Sequence, residues 1–484
     1  MAEVIALAGW PPEVIAYAYA LYSRSARSIR QSIQAITNDN AGKFLNTFYF
    51  QYGHASIADN AHIFLALEGI PEIAAYELED EQLWDGQEQS TRYQDFGKGG
   101  NYHVPASVRN TPLFPLYTQV ADYNLKQYVR FSKLCFERLV KDNPKPSEMK
   151  DDAYERNMRA RAFDVARYWL FNGVLTNIGQ ATSARTLEKQ IVRLMSSEYP
   201  DLRELAQQMK SACQAKPFCP EGKDEPPVAP TLVKYTEPNK FLIMLRKLME
   251  EESKRWLWWP SDRKITRYTK LVPNKSLSAY MTPLNEIIAT LLYEASDYPY
   301  NEIVVHMAQV EEKYKLELIN KVLDLRGRRD PLPKTFAIGQ KFQFDICMDR
   351  GGERDLHRHR NCVQIHQPLT TSRGWDTPDL IIKMGMADEY NRGMAQVGHW
   401  VEILRREVGV DSDYLIPFAY RSGTLYKMHL EQAVYMSELR SGIKGHFSYR
   451  EIAYQMYEQL VKECPFLEGR LRVTSPEVQD LLNR

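Results

Sequence analysis

The sequence predicts an α+β chain made of two tandem units, each a small mixed sheet with long helices. Three observations carry that expectation: a Pro-rich interruption near mid-chain, a similar order of segments on either side of it, and short strand signals followed by long helical periods. The interruption is KPFCPEGKDEPPVAPTLVKYTEP, residues 216–238, whose prolines remove backbone donors and block helix and sheet alike. It divides the chain into a first unit at 1–215, a linker at 216–238 and a second unit at 239–484. A chain of 484 residues also exceeds what one hydrophobic core usually organises.

In chain order, MAEVIALAGWPPEVIAYAYALYSRS opens the sequence. It carries Glu3, lacks a basic start and is broken at Pro11 and Pro12, so it is expected to form a buried helix of a soluble protein rather than a signal peptide or a membrane span. AHIFLALEG reads as a strand. Helical periods follow in PLFPLYTQVADYNLKQYVRFSKLCFERLV, ARAFDVARYWLFNGVL and RTLEKQIVRLMSSEYPDLRELAQQM, with a surface loop at 141–152. Beyond the linker, EIIATLLYEASDYPYN from Glu286 faintly repeats EVIAYAYALYSRSARS from Glu13. QKFQFDICM is the second strand signal, expected on a half-buried surface. The closing helical runs are DLIIKMGMADEYNRGMAQVGHWVEILRREV and LEQAVYMSELRSGIKGHFSYREIAYQMYEQLV.

Charge and cysteine content narrow the function. Basic and acidic side chains balance at 62 each, which removes the basic footprint of a nucleic-acid binder and requires any phosphate recognition to be local. The six cysteines form no CxxC pair, which fits a reducing, cytoplasmic setting and neither zinc nor disulfides.

Two motifs carry candidate chemistry. Arg358-His359-Arg360 sets two guanidiniums around an imidazole; such a fork suits phosphate or a carbonyl-rich ring, although the triplet alone more often marks a solvated face. QEQSTRY, residues 87–93, offers hydroxyls, backbone N–H groups and Arg92 for an anion nest, or merely caps a helix, on its own the commoner case. RWLWWP at 255–260 offers ring stacking but more often packs two halves together. His357, His359 and His366 lie close in sequence without a carboxylate in ligand spacing, so no metal site is expected.

Taken together and in order, these segments resemble the flavin-dependent thymidylate synthases, whose signature runs Arg-His-Arg, seven residues, Ser, then Ser-x-Arg-Tyr. The second half carries the Arg-His-Arg core. The first half carries the other end in Glu88-Gln89-Ser90-Thr91-Arg92-Tyr93, preceded by Gly53-His54-Ala55-Ser56. Residues 166–187 are similar to a family helix pair, with Ser183 where Asn is usual. Tyr414-Leu415-Ile416-Pro417 and Glu438-Leu439-Arg440 echo later family elements. Each half also departs from the pattern: Asp80, Glu81 and Gln82 occupy the first half's Arg-His-Arg positions, Pro368 replaces the second half's Ser, and Asp355 stands where a substrate-contacting Gln is expected.

The resemblance implies a tandem duplication in which the halves complement each other, the second half's fork facing the first half's Ser-Thr-Arg. It implies methylation of dUMP to dTMP with FAD, NADPH and methylenetetrahydrofolate, no nucleic-acid or membrane partner, and a homodimer forming a pseudo-tetramer. Arg358 would bridge flavin and nucleotide. His359, Arg360, Asn361, Ser56 and Arg185 would hold FAD, while Glu88, Gln89, Ser90, Thr91, Arg92 and Arg167 would bind the nucleotide. Arg440 would stabilise charge on the uracil carbonyls. Two other readings stay open: an FAD-binding relative with different pyrimidine C5 chemistry, and a non-catalytic regulatory or structural homologue.

Overall fold

The computed structural model describes residues 5–23, 28–34, 36, 55–97, 102–220, 222–259, 266–272, 278–328 and 330–482. Gly53, His54 and Pro260 lie outside the described residues. The fold mixes helices with two small sheets. The chain forms two compact units, one of Met1–Gly69, Glu77–Glu88 and Asn177–Ile243, the other of Ile70–Tyr76, Gln89–Thr176 and Met244–Arg484. The Pro-rich segment 216–238 falls inside the first of these, and residues 89–176 join the second. Among the described residues, no helix is long and apolar enough to cross a membrane.

In the first unit, α1 (Pro12–Tyr22) starts at a proline and buries Val14, Ala16, Ala18 and Ala20 while Tyr19 and Tyr22 are exposed. The expected strand is β1 (His62–Pro71), followed by α2 (Glu72–Glu79), of which residues 72–76 count with the second unit, and β2 (Asp85–Glu88). A strand that the helical reading of residues 166–187 overlooked, β3 (Leu175–Ser183), completes a sheet of order β1-β3-β2. β2 pairs with β3 antiparallel, Asp85 opposite Ala181 and Glu88 opposite Ile178. The long run at 185–209 is two helices, α5 (Ala184–Met195) and α6 (Pro200–Gln214), split where Pro200 can begin a helix but not continue one.

The second unit holds α3 (Phe114–Asp142) and α4 (Asp151–Ala166), the latter ending before Asn172-Gly173 instead of running on to Leu175. Its four-stranded sheet has the order β4 (Tyr268–Val272), β5 (Phe342–Asp349), β7 (Arg421–Met428), β6 (Val363–His366). All three pairings are antiparallel, where a mixed sheet was expected, because hydrophobic period carries no information on strand direction. Between β5 and β6 lies α9 (Arg350–His357); α8 (Pro283–Glu294) precedes β5. The later helices are α10 (Asp379–Lys383), α11 (Ala387–Val408), α12 (Leu430–Ser441) and α13 (Phe447–Glu463). The break between α10 and α11 contains Gly385 at φ 70°, which an L side chain resists.

β5 is buried along both faces rather than one. Phe342, Phe344, Ile346 and Met348 pack into a core with Met436, Ile452 and Met456 of α12 and α13. Among the alternate residues, Gln343 Nε2 donates to Glu286 Oε1 at 2.9 Å, and Asp345 accepts from Tyr293 Oη at 2.9 Å and the Tyr300 amide at 2.8 Å. Such a strand lies between two layers, which fixes the start of α9 and therefore the Arg-His-Arg segment.

The two sheets share a plan. Strand, eight-residue helix, short turn and strand occur in both, and the order β5-β7-β6 repeats β1-β3-β2. Asp80, Glu81 and Gln82 follow α2 as Arg358, His359 and Arg360 follow α9. In the first unit Glu81 is buried and paired with Lys189 Nζ at 3.2 Å and Arg193 Nε at 3.0 Å from α5.

Candidate active site

The site assembles in the second unit at the C-terminal end of α9. Asp349 caps this helix, its Oδ1 accepting from the Gly352 amide at 2.7 Å. Gly352 permits close approach to α13, since a Cβ there would overlap Ser448 Oγ. The last turn then presents Asp355, and the residues after it are Arg358, exposed, His359, buried, and Arg360, half-buried.

His359 faces inward. Its Nε2 accepts from Arg440 Nε at 2.7 Å, Gln432 Nε2 lies 3.3 Å from Nδ1, and the Tyr435 ring meets it edge-on at 5.6 Å. Burial first, then the charges of Arg440 and Arg360, push its pKa down to about 3, so the imidazole is neutral at ordinary pH. A neutral ring that accepts at Nε2 carries its proton on Nδ1, which donates once the Gln432 carboxamide turns its oxygen toward it.

Residues from the first half of the sequence meet this segment within the same unit. Arg92 is held bidentate by Asp164, Nε at 2.7 Å and Nη2 at 3.2 Å, and donates to Tyr449 Oη at 3.1 Å and the Lys444 carbonyl at 3.3 Å. Tyr449 lies beneath two guanidiniums, Arg92 at 5.8 Å and Arg440 at 5.5 Å from its ring centre. Arg167 is almost fully buried; its Nη2 lies 3.4 Å from Asp355 Oδ2, and its Nε has no hydrogen-bond partner. Arg358 Nη1 lies 3.8 Å from Asp355 Oδ1.

Asp355 is the focus of the cluster. Burial disfavours its charge, but Arg167, Arg358, Arg92 and Arg440 outweigh that and hold its carboxyl well below the usual range. Guanidiniums from both halves of the sequence thus bear on one carboxylate: Arg167 and Arg358 lie 3.4 and 3.8 Å from it, while Arg92 is bonded to Asp164 and Arg440 to His359. The arrangement is suited to binding an anion.

The remaining expected residues are placed as follows. Ser90 Oγ accepts from the Arg92 amide at 3.3 Å, which caps its own turn, and the buried Thr91 hydroxyl accepts from Arg354 Nη1 at 3.4 Å. Gln89 and Asn361 are exposed. Glu88 closes β2 in the first unit. Ser56 and Arg185 belong to that unit as well, both exposed, with Arg185 Nη1 3.0 Å from Asp59. Trp259 packs on Tyr298 and His306 of its own half, and Trp258 is exposed. His357 stacks on Tyr76 at 3.9 Å, while His366 Nδ1 lies 2.8 Å from Tyr76 Oη.

Sequence reading missed Asp164, Gln432 and Tyr449. A helical signal was available for the first: Asp164 and Arg167 are three apart at the end of α4, on one face. Gln432 precedes Arg440 by about two turns of α12, whereas nothing local joins Tyr449 to Arg92.

Comparison with known proteins shows what the chain is similar to. Residues 3–221 match the family model described as thymidylate synthase complementing protein. That segment is similar to the family whose motifs the chain resembles. A UPF0159 protein of Chlamydia muridarum is 23% identical over 511 residues, covering 99% of this chain and 93% of its own. One of Thermoplasma acidophilum is 23% identical over 504 residues, covering 94% of each. Among solved structures, thymidylate synthase X of Helicobacter pylori with FAD and dUMP is 13% identical, with a TM-score of 0.26 over 46% of this chain and 95% of that one. A second structure of that enzyme complexed with FAD and dUMP gives 14% and 0.25, over 42% and 89%.

Proposed function

We propose that the chain is a flavin-dependent thymidylate synthase-like enzyme, methylating dUMP to dTMP with methylenetetrahydrofolate, FAD and NADPH. One observation carries this reading: Arg92 and Arg167 from the first half converge with Arg358 and Arg440 from the second on Asp355, inside a single unit. An orphaned, buried Arg167 Nε is a donor of the kind a phosphorylated ligand requires.

In this reading Arg92 and Arg167 hold the nucleotide phosphate, helped by the Ser90 and Thr91 turn. Arg440 sits against the base, where a planar, permanently charged donor stabilises negative charge developing on uracil carbonyls. Arg358, exposed at the helix end, reaches both ligands; Arg360 and Asn361 border the flavin, and His359 orients Arg440. When bound, FAD supplies the redox chemistry, and the protein supplies position and field. No cysteine is required as a nucleophile, consistent with buried thiols such as Cys347, which burial pushes up to about 12.

The shared plan of the two sheets supports descent from a tandem duplication. In the first copy an acidic residue has replaced the central histidine, and the cations of α5 neutralise it. A cytoplasmic dimer of such chains would mimic a four-unit assembly. Incubating purified protein with dUMP, methylenetetrahydrofolate, FAD and NADPH is expected to yield dTMP; absence of dTMP from protein that has taken up FAD would refute the proposed reaction. A competing reading, different C5 chemistry on a pyrimidine nucleotide, is favoured by Asp355 alone and would show as dUMP binding without dTMP.

A further inference from the structure

Residues 471–482 contain neither helix nor strand and bury no side chain fully; polar contacts to their main chain hold them in place. Arg450, almost fully buried in α13, donates from Nη2 to the carbonyls of Ser475 at 3.1 Å and Val478 at 2.9 Å. Asn157 Nδ2 of α4 donates to the Leu482 carbonyl at 2.6 Å, and Arg161, one turn further along, donates to the Asp480 carbonyl at 3.1 Å. The segment's own amides donate to α12, Arg472 to Glu438 Oε1 at 2.9 Å and Thr474 to Ser441 Oγ at 3.2 Å.

The same two arginines also reach the turn that joins α12 to α13. Arg450 Nε donates to the Ser441 carbonyl at 3.1 Å, and Arg161 donates to the carbonyls of Gly445 at 3.4 Å and Ile443 at 3.5 Å. That turn meets the candidate site directly: the Lys444 carbonyl accepts from Arg92 Nη2 at 3.3 Å, His446 Nε2 lies 2.9 Å from the Asp164 carbonyl, and Ser441 follows Arg440 in the chain. Residues 471–482 are therefore bonded to the turn that connects Arg440 with Tyr449 and accepts from Arg92. Each of these hydrogen bonds replaces one to water and contributes little net, while ordering the segment costs backbone entropy at every residue. Without a fully buried side chain to offset that cost, the attachment is reversible, and whatever steadies the turn favours it.

Resting on the nucleotide reading above, we infer that residues 471–482 form a strap whose docking on the α12–α13 turn is coupled to occupation of the site by the nucleotide, with Arg450 as the positioning residue that joins strap to turn. A phosphorylated ligand that fixes Arg92 and Arg440 steadies the turn and favours the docked strap. By reciprocity, a docked strap tightens the ligand.

The test combines calorimetry of dUMP binding with amide hydrogen exchange, both on the full chain. In wild type, saturating dUMP is expected to slow exchange across residues 471–482 by roughly tenfold, the size of an ordinary coupling between two sites. Arg450→Gln, and Thr474→Pro, which deletes one strap donor without touching α13, are each expected to weaken dUMP affinity roughly fivefold, about the worth of one such hydrogen bond, with unchanged circular dichroism. Exchange in 471–482 that is the same with and without bound dUMP overturns the inference, whether or not either variant folds. So does either variant, folded, binding dUMP with wild-type affinity. A wild type that binds no dUMP overturns the nucleotide reading and the coupling that rests on it, an outcome distinct from both.

Discussion

At the scale of single residues, the supports of the arginines matter as much as the arginines. Tyr449 Oη accepts from Arg92 while its ring lies beneath Arg440, so one side chain steadies a cation from each half of the sequence. Tyr449→Phe removes a hydrogen bond to a charged group, worth about 1.5–3 kcal/mol. The expected result is a roughly tenfold weaker dUMP affinity with unchanged circular dichroism; an unchanged affinity would show that Asp164 alone holds Arg92. Protonation adds a second residue-scale prediction. His359, depressed to about 3, contributes stability that is complete above its ordinary value near 6.5 and lost as pH falls toward 3. Asp345 acts in the opposite sense. Burial raises it to about 6 against the hydrogen bonds it accepts, so its contribution is greatest when protonated and declines as pH rises from about 4 through 6. Urea midpoints of wild type and His359→Asn between pH 7 and 4 separate the two: the histidine variant is expected to lose less stability on acidification.

At the scale of elements, the site depends on β5 and α9 being fixed between layers. Phe344 is fully buried in the core under α12 and α13, and Phe344→Ala is expected to cost about 3–5 kcal/mol through lost burial and the cavity left behind. Chemical denaturation measures it, and a cost below about 1 kcal/mol would mean that the packing described for β5 is wrong. Elements were legible in the sequence where their period was strong. α3 and the strands β1 and β5 follow from helical repeats and aromatic, branched residues. β3 and β7 were not legible: LTNIGQATS and RSGTLYKM are polar and interrupted by glycine, and burial becomes possible only because partners satisfy them. Lys427 illustrates this, fully buried yet bonded to Glu286 Oε1 at 3.0 Å and Thr290 Oγ1 at 3.0 Å from α8. Those partners are about 140 residues away in sequence.

At the scale of the whole molecule, sequence halves and compact units do not coincide. Residues 89–176 pack with 244–484, so cutting the exposed chain near Lys216 and Lys223 is not expected to separate the halves. Limited trypsin treatment should give two bands on a denaturing gel and one peak on native gel filtration; separation into two peaks would contradict the second unit as described. The Pro-rich stretch marked a real interruption of regular structure, but composition reports only local stiffness and not which distant segments pack together.

The sequence by itself determined that Arg-His-Arg and Ser-Thr-Arg were the places to look, because residue type, order and spacing survive without coordinates. Only the tertiary structure decided that Arg167 and Arg358 share the buried Asp355, that His359 turns inward to Arg440, and that Asp164 and Tyr449 hold Arg92 beside them. Those facts depend on contacts between segments hundreds of residues apart, and such contacts are set by which faces bury against each other, a property no local pattern contains.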